Sequence, residues 1–256
     1  MWNTIRFLLL ELRAFCRKPK VLKRGPRWLL KKATSEWHYE RKKTTEIEFV
    51  LSLTGASRED VLRYWEESKS KDLPWPLLYV IARVSKPNIV VETGVETGRS
   101  SFSILQALAD NGQGVLYSIE LGGAQEFDSD GLTFYAIPDK VVGSLVPARL
   151  RNRWRLILGD AREELLPLLR KLGAIDVFLH DSLHTEEHAL FELQSAWPFL
   201  RETGYLLADD ISYSFREFAS QVNKAYICTN LPGDRQYVGL AAPPPGKIGR
   251  FGGVRK

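Results

Sequence analysis

Residues 89–98 read Ile-Val-Val-Glu-Thr-Gly-Val-Glu-Thr-Gly, a β-branched run that ends in an acid and then meets two glycines four apart. The run predicts a buried strand. The glycines predict a sharp break into a helix, with backbone free to pass close to a ligand. The helix that follows, from about Arg99 to Asp110, places Phe102, Leu105 and Ala109 on one apolar side. Its first N–H groups lack partners within the helix, so the turn offers a seat for a carboxylate or phosphate. A dinucleotide site spaces its glycines G-x-G-x-x-G and sets the pyrophosphate on the helix N-terminus. Here Gly94 and Gly98 give G-x-x-x-G, and Glu92 stands before them. An acid there repels phosphate and suits a cationic ligand. The simpler alternative is a strand–helix turn that merely needs glycine.

Two further strand ends carry acids. Val115-Leu116-Tyr117-Ser118-Ile119 ends in Glu120, and a carboxylate at the tip of a neighbouring parallel strand can accept both hydrogen bonds of a ribose diol. Trp154-Arg155-Leu156-Ile157-Leu158 is followed by Gly159-Asp160-Ala161. Asp160 there is a good helix N-cap, with Glu163 three residues on. On Glu92, Gly94, Gly98 and Glu120 the chain resembles the class I S-adenosylmethionine-dependent methyltransferases, in particular the small-molecule O-methyltransferases whose first motif reads V-E-T-G-x-x-T-G-x-S-S, here Val91 to Ser101. The resemblance covers roughly residues 75–240. It implies Glu92, Gly94 and Gly98 beside the methionine part of the cofactor, Ser100 near its carboxylate, Glu120 on the ribose and Asp160 against the adenine.

From Pro76 onward strands and helices alternate, the pattern of a parallel sheet covered on both faces. Strands are expected at about 88–92, 115–119, 154–158, 175–180 and 204–209. Ala225–Thr229 and Gln236–Leu240 flank the turn-rich Leu231-Pro232-Gly233-Asp234 and predict an antiparallel hairpin. The expected fold is thus α/β: a Rossmann-like methyltransferase sheet, mostly parallel with a C-terminal antiparallel hairpin, plus an N-terminal helical cap. The domain reading is a basic helical arm and cap over 1–74, a cofactor-binding domain over 75–242 and a mobile Pro/Gly-rich basic tail over 243–256. The stretch 121–150 is too long for a simple connection and reads as a lid or substrate loop. Within the cap, Thr45 to Thr54 predicts a short helix with Ile47, Val50 and Leu51 inward, ending at Gly55. Ser57 then caps a second helix, with Asp60 at its third position and Val61, Tyr64 and Trp65 as contacts.

Charge is unevenly placed. Of the net +5, residues 1–32 supply ten Lys/Arg against one Glu, or +9, so residues 33–256 carry 5 − 9 = −4. Ile5, Leu8, Leu9, Leu12 and Phe15 recur at helical spacing while Arg6, Arg13 and Arg17 share another side. Such a helix suits docking on the body or a second subunit, which would make a homo-oligomer, or contact with an anionic membrane surface. No nucleic-acid partner is expected, because no aromatic platform accompanies the charge. Cys16 and Cys228 give no disulfide framework, which fits a reducing, cytoplasmic compartment. No signal peptide and no run of roughly 18 apolar residues is evident.

The chemistry is expected at the next two strand ends. Ile175–Leu179 runs into His180-Asp181-Ser182-Leu183-His184, and Gly204–Ala208 runs into Asp209-Asp210. Carboxyl ends of adjacent strands share the ligand crevice of an open α/β sheet, so Asp181, Asp209 and Asp210 should converge. Like charges this close call for a cation or a raised pKa, and oxygen ligands favour Mg²⁺ or Ca²⁺. The arrangement resembles the metal-dependent O-methyltransferases, in which the ion binds the acceptor hydroxyl; Leu183 departs from their Asp-Gly-Asp-His pattern. Acids that serve only capping and cofactor contacts are the alternative. His184, next to the acids, can take the acceptor proton, so Asp181 and His184 are the catalytic candidates. His180, His184 and His188 are four apart, yet His180 ends a strand, so a shared zinc face is not expected. The Asn/Asp-Pro-Pro-aromatic turn of amine methyltransferases is absent, which points to oxygen. The leading expectation is S-adenosylmethionine-dependent methyl transfer to a hydroxyl of a sugar, glycolipid or phenolic. The alternatives are a nicotinamide-dependent oxidoreductase and a non-catalytic binding module.

Overall fold

The computed structural model describes residues 26–123, 126–129, 132–229 and 250–256. Packing divides the chain into Met1–Glu46 and Ile47–Lys256, so the end of the first helix and all of the second belong to the larger unit. The basic arm at 5–17 and the expected strand Gln236–Leu240 lie outside the described residues. Among the described residues no helix is long and apolar enough to cross a membrane.

The N-terminal helix α1 runs Pro26–Thr54, so the short helix expected from Thr45 is the last part of a much longer one. The charged stretch before Thr45 has no apolar period to announce it. Helix α2 (Arg58–Ser70) begins as expected. The Ser57 hydroxyl accepts from the Asp60 N–H at 3.1 Å and donates to the Asp60 carboxylate at 2.8 Å, while Val61, Tyr64 and Trp65 are buried. Helix α3 (Pro76–Ser85) follows and leads into β1 (Ile89–Thr93).

The body alternates β1, α4 (Arg99–Asn111), β2 (Val115–Glu120), β5 (Trp154–Leu158), α5 (Ala161–Leu172), β6 (Ile175–His180), α6 (Glu186–Ala196), β7 (Leu200–Asp209), α7 (Tyr213–Gln221), β8 (Ile227–Thr229) and β9 (Phe251–Arg255). The sheet order is β5-β2-β1-β6-β7-β9-β8, with β9 antiparallel to both β7 and β8 and every other pairing parallel. Order reverses between β1 and β6, so the crevice for a ligand lies over their carboxyl ends. One apolar layer packs the end of α1 from Ile47 onward, with α2–α4, against the sheet, and the other packs α5–α7 against its opposite face.

The C-terminal hairpin forms, but its second strand is Phe251–Arg255, a segment the sequence reading assigned to a mobile tail. Phe251 and Val254 are buried, and the two glycines between them make space for helices on both faces. A Cβ on Gly252 would lie 2.9 Å from Ile211 and Phe215, and one on Gly253 3.0 Å from Leu53 and Phe49. Phe251 itself meets Phe49 and Trp75 edge-on at 5.6 and 5.7 Å between ring centres.

The insert after β2 holds a two-stranded ribbon, β3 (Glu126–Ser129) with β4 (Leu132–Tyr135). Its second half braces the glycine turn. Gly143 N–H donates to Glu96 O at 2.8 Å and Leu145 N–H to Thr97 O at 2.9 Å. A Cβ on Gly143 would lie 2.1 Å from the Trp154 ring, and the Arg151 guanidinium donates to the carbonyls of Gly143 and Val146.

Candidate active site

The β1–α4 turn is built on two left-handed glycines, Gly94 at φ 80° and Gly98 at φ 90°. A Cβ on Gly94 would collide with the backbone of Asp181, and one on Gly98 would come within 2.9 Å of Gly143 and Val146. Glycine is therefore required by close backbone approach as well as by conformation. The turn is held to both neighbours: Gly94 N–H donates to Ile119 O and Asp181 N–H to Thr93 O. Glu120 accepts from the N–H groups of Val95 and Glu96 at 2.6 and 2.8 Å through its Oε2, so the ribose candidate also clamps the turn.

Glu92 is wholly buried under this turn. Its Oε1 accepts from the hydroxyls of Ser101 and of Ser118, the latter at 2.7 Å, and Trp154 Nε1 donates to Ser118 at 2.7 Å. Ser100, in the first turn of α4, is buried and acts with the other two serines to lower the Glu92 carboxyl. Among the described residues Oε2 has no hydrogen-bond partner. Burial pushes the Glu92 carboxyl up to about 7, against the lowering effect of the serines. A buried acid with an unused oxygen is ready to receive a cation. Asp160 caps α5, accepting from Arg162 N–H at 2.8 Å, as expected of it.

The strand-end acids converge, with one change of membership. Asp181, His184 and Asp209 each offer a ligand atom, and these atoms lie within 4.8 Å of one another. Asp210 lines the same recess with His180, His184 and Asp209 but stands outside that trio. Its backbone turns left-handed at φ 45°, its N–H tied to Arg250 O at 2.7 Å, which breaks the strand course directly after Asp209. His184 Nε2 lies 3.9 Å from Asp181 Oδ1, with 35% of its side chain exposed. Burial first, then the charges of Asp209, Glu92 and Asp210, raise the Asp181 carboxyl well above the usual range.

Sequence reasoning passed over the carboxylate beneath this trio. Glu192 of α6 is wholly buried and accepts from four donors. Its sequence signal was an acid among the buried positions Ala189, Leu193 and Ala196, one turn after His188. His188 is buried on it, at 2.9 Å.

A methyltransferase-domain family matches residues 91–211, the stretch from the middle of β1 to just past β7. No curated protein sequence matches the chain. Among solved structures it is similar to the O-methyltransferase TomG from Streptomyces achromogenes in complex with SAM, at 16% identity over 78% of this chain and 90% of that one, TM-score 0.48. An O-methyltransferase from Bacillus cereus in complex with SAH is 14% identical over 82% and 96% of the two chains, TM-score 0.48. An SAH-bound methyltransferase from Podospora anserina is 14% identical over 77% and 87%, TM-score 0.46. The glycine turn, the buried acid beneath it and the acids at the ends of β6 and β7 all lie within residues 91–211, the stretch that is similar to the methyltransferase-domain family.

Proposed function

We propose that the protein transfers the methyl group of S-adenosylmethionine to a hydroxyl oxygen of a small molecule of the sugar, glycolipid or phenolic class, with a divalent cation at Asp181 and Asp209. The observation that carries the reading is the convergence of Asp181, His184 and Asp209 at the ends of β6 and β7, against the glycine turn. The cofactor fits the residues present: the Glu92 Oε2 without a partner suits its cationic methionine end, and the clash at Gly94 marks a crevice floor made of backbone. Ser100, Glu120 and Asp160 are assigned to the cofactor's carboxylate, ribose and adenine.

S-adenosylmethionine supplies an electrophilic methyl on a sulfonium, and a bound divalent ion lowers the pKa of an acceptor hydroxyl. The residues do the rest. Asp181 and Asp209 are crowded like charges whose repulsion a cation relieves, and Mg²⁺ is the first candidate for oxygen donors. His184, the exposed member of the trio, takes the acceptor proton at a ring nitrogen. Asp210, in the same recess, adds negative charge that favours the ion. Replacing Asp209 with Ala and stripping metal with EDTA should each lower turnover by about two orders of magnitude or more, the scale of losing a main electrostatic stabiliser. Added Mg²⁺ should restore the chelated wild type only. Full turnover in excess chelator would transfer the chemistry to Asp181 and His184 alone.

A further inference from the structure

Glu192 sits at a meeting point of four elements. Its Oε2 accepts from Thr93 Oγ1 at the end of β1 (2.5 Å) and from His180 Nδ1 at the end of β6 (2.6 Å). Its Oε1 accepts from Ser182 Oγ in the β6–α6 turn (2.8 Å) and from His188 Nε2 in α6 (2.9 Å). A carboxylate has about four acceptor sites and no donor, and here all four are used. The two imidazoles hold the Glu192 carboxyl well below its usual range, despite its burial. Because an ionised Glu192 can only accept, each partner must present a hydrogen. The hydrogen on His180 is thus fixed at Nδ1 and that on His188 at Nε2.

The partners flank the candidate chemistry. Ser182 follows Asp181 directly, and the His180 ring packs edge-on against His184 with centres 5.4 Å apart. We propose that Glu192 is a positioning residue: it fixes the hydrogen on His180 and the path of the β6–α6 turn, and through them the placement of Asp181 and His184. A core position asks only for an apolar side chain of this volume. Gathering a charge and four donors here adds little to stability over such a side chain, but it specifies one arrangement of the turn.

The proposal rests on the metal reading above, so its test has one arm that needs neither metal nor acceptor. The chain has four histidines, and long-range ¹H–¹⁵N spectra of the protein labelled at histidine report which ring nitrogen carries hydrogen. Wild type should show hydrogen on Nδ1 of His180 and on Nε2 of His188. In Glu192→Gln the amide brings its own donors, so at least one of these rings must change tautomer. Hydrogen absent from Nδ1 of His180 in wild type, or no tautomer change in the variant, would overturn the proposal.

The second arm measures affinity for Mn²⁺, as a paramagnetic probe of the acid site, and for S-adenosylhomocysteine. Glu192→Gln should weaken Mn²⁺ binding about tenfold or more, the usual effect of removing the group behind a ligand, and leave S-adenosylhomocysteine affinity within about twofold. Ser182→Ala, at a partly exposed position, removes one bond without disturbing the core. It should weaken Mn²⁺ severalfold with the same constancy for S-adenosylhomocysteine. Unchanged Mn²⁺ affinity in both variants refutes the positioning role. Wild type that binds no Mn²⁺ refutes the metal reading instead, and the tautomer arm still decides the case of Glu192.

Discussion

A methyl group placed on Gly94 tests the geometry of the crevice floor. In Gly94→Ala the new carbon would lie 1.9 Å from the Asp181 carbonyl oxygen, 2.4 Å from its carbon and 2.8 Å from Ser182 N. These are backbone atoms, tied to β1 by the bond from Asp181 N–H to Thr93 O, so no side-chain rotation relieves the overlap. The left-handed φ of 80° adds its own cost of about 1–2 kcal/mol for an L residue. Gly112→Ala supplies the reference: its φ is 72° and nothing lies within 4 Å of the added carbon, so it carries the conformational cost alone. The difference between the two variants isolates the collision, about 1–3 kcal/mol on the scale of overpacking. Urea unfolding monitored by tryptophan fluorescence gives the stabilities, and calorimetry with S-adenosylhomocysteine gives the site. Gly94→Ala should be the less stable by that margin and should lose cofactor binding, while Gly112→Ala keeps it. Equal stability and intact binding in the two variants would refute the close approach of β1–α4 to the Asp181 backbone.

Four other outcomes follow from the same structure. Because the folded Glu92 carboxyl is raised from 4.5 to about 7, the native state holds a proton that the unfolded chain has lost between those values. Its contribution therefore falls as pH rises through that window, by about 3 kcal/mol, and denaturant midpoints from pH 4.5 to 8 should show a slope that Glu92→Gln removes. A cationic cofactor favours ionised Glu92, so binding near neutral pH should release protons, seen as a buffer-dependent heat in wild type and absent in Glu92→Gln. Phe251→Ala should cost about 3–5 kcal/mol in a urea melt, because the ring is buried between Phe49 and Trp75; a cost near zero would return the segment to a loose tail. Asp209→Ala should lower methyl transfer far more than cofactor affinity, measured by turnover and calorimetry on the same preparation.

What the sequence made legible was local. A β-branched run closed by Glu92, Gly94 and Gly98 announces its own strand, turn and helix, and the strand-end acids Glu120, Asp181 and Asp209 follow from the period of the α/β pattern. Where the reading failed, distant packing decided. Phe251-Gly-Gly-Val-Arg looked like a tail because glycine is poor in strands, whereas here it is the residue that lets Phe49 and Ile211 close on opposite faces of β9. His184 joined Asp181 and Asp209 while Asp210 stayed apart, since the left-handed turn at Asp210 is invisible in a pair of aspartates. Ser101 and Ser118 were silent because one reaches Glu92 only through the β1–α4 turn and the other only from the neighbouring strand. Glu192 gathers donors from β1, β6 and α6, an arrangement no sequence window contains.

The central claim is that the crevice over β1 and β6 binds S-adenosylmethionine. Titration calorimetry of the full chain with S-adenosylmethionine and S-adenosylhomocysteine tests it without knowledge of the acceptor. The account predicts one site, with Kd at or below about 100 µM for at least one of the two, weakened at least tenfold in Glu120→Ala. No heat from either compound at about millimolar concentration, or binding indifferent to Glu120, would contradict it.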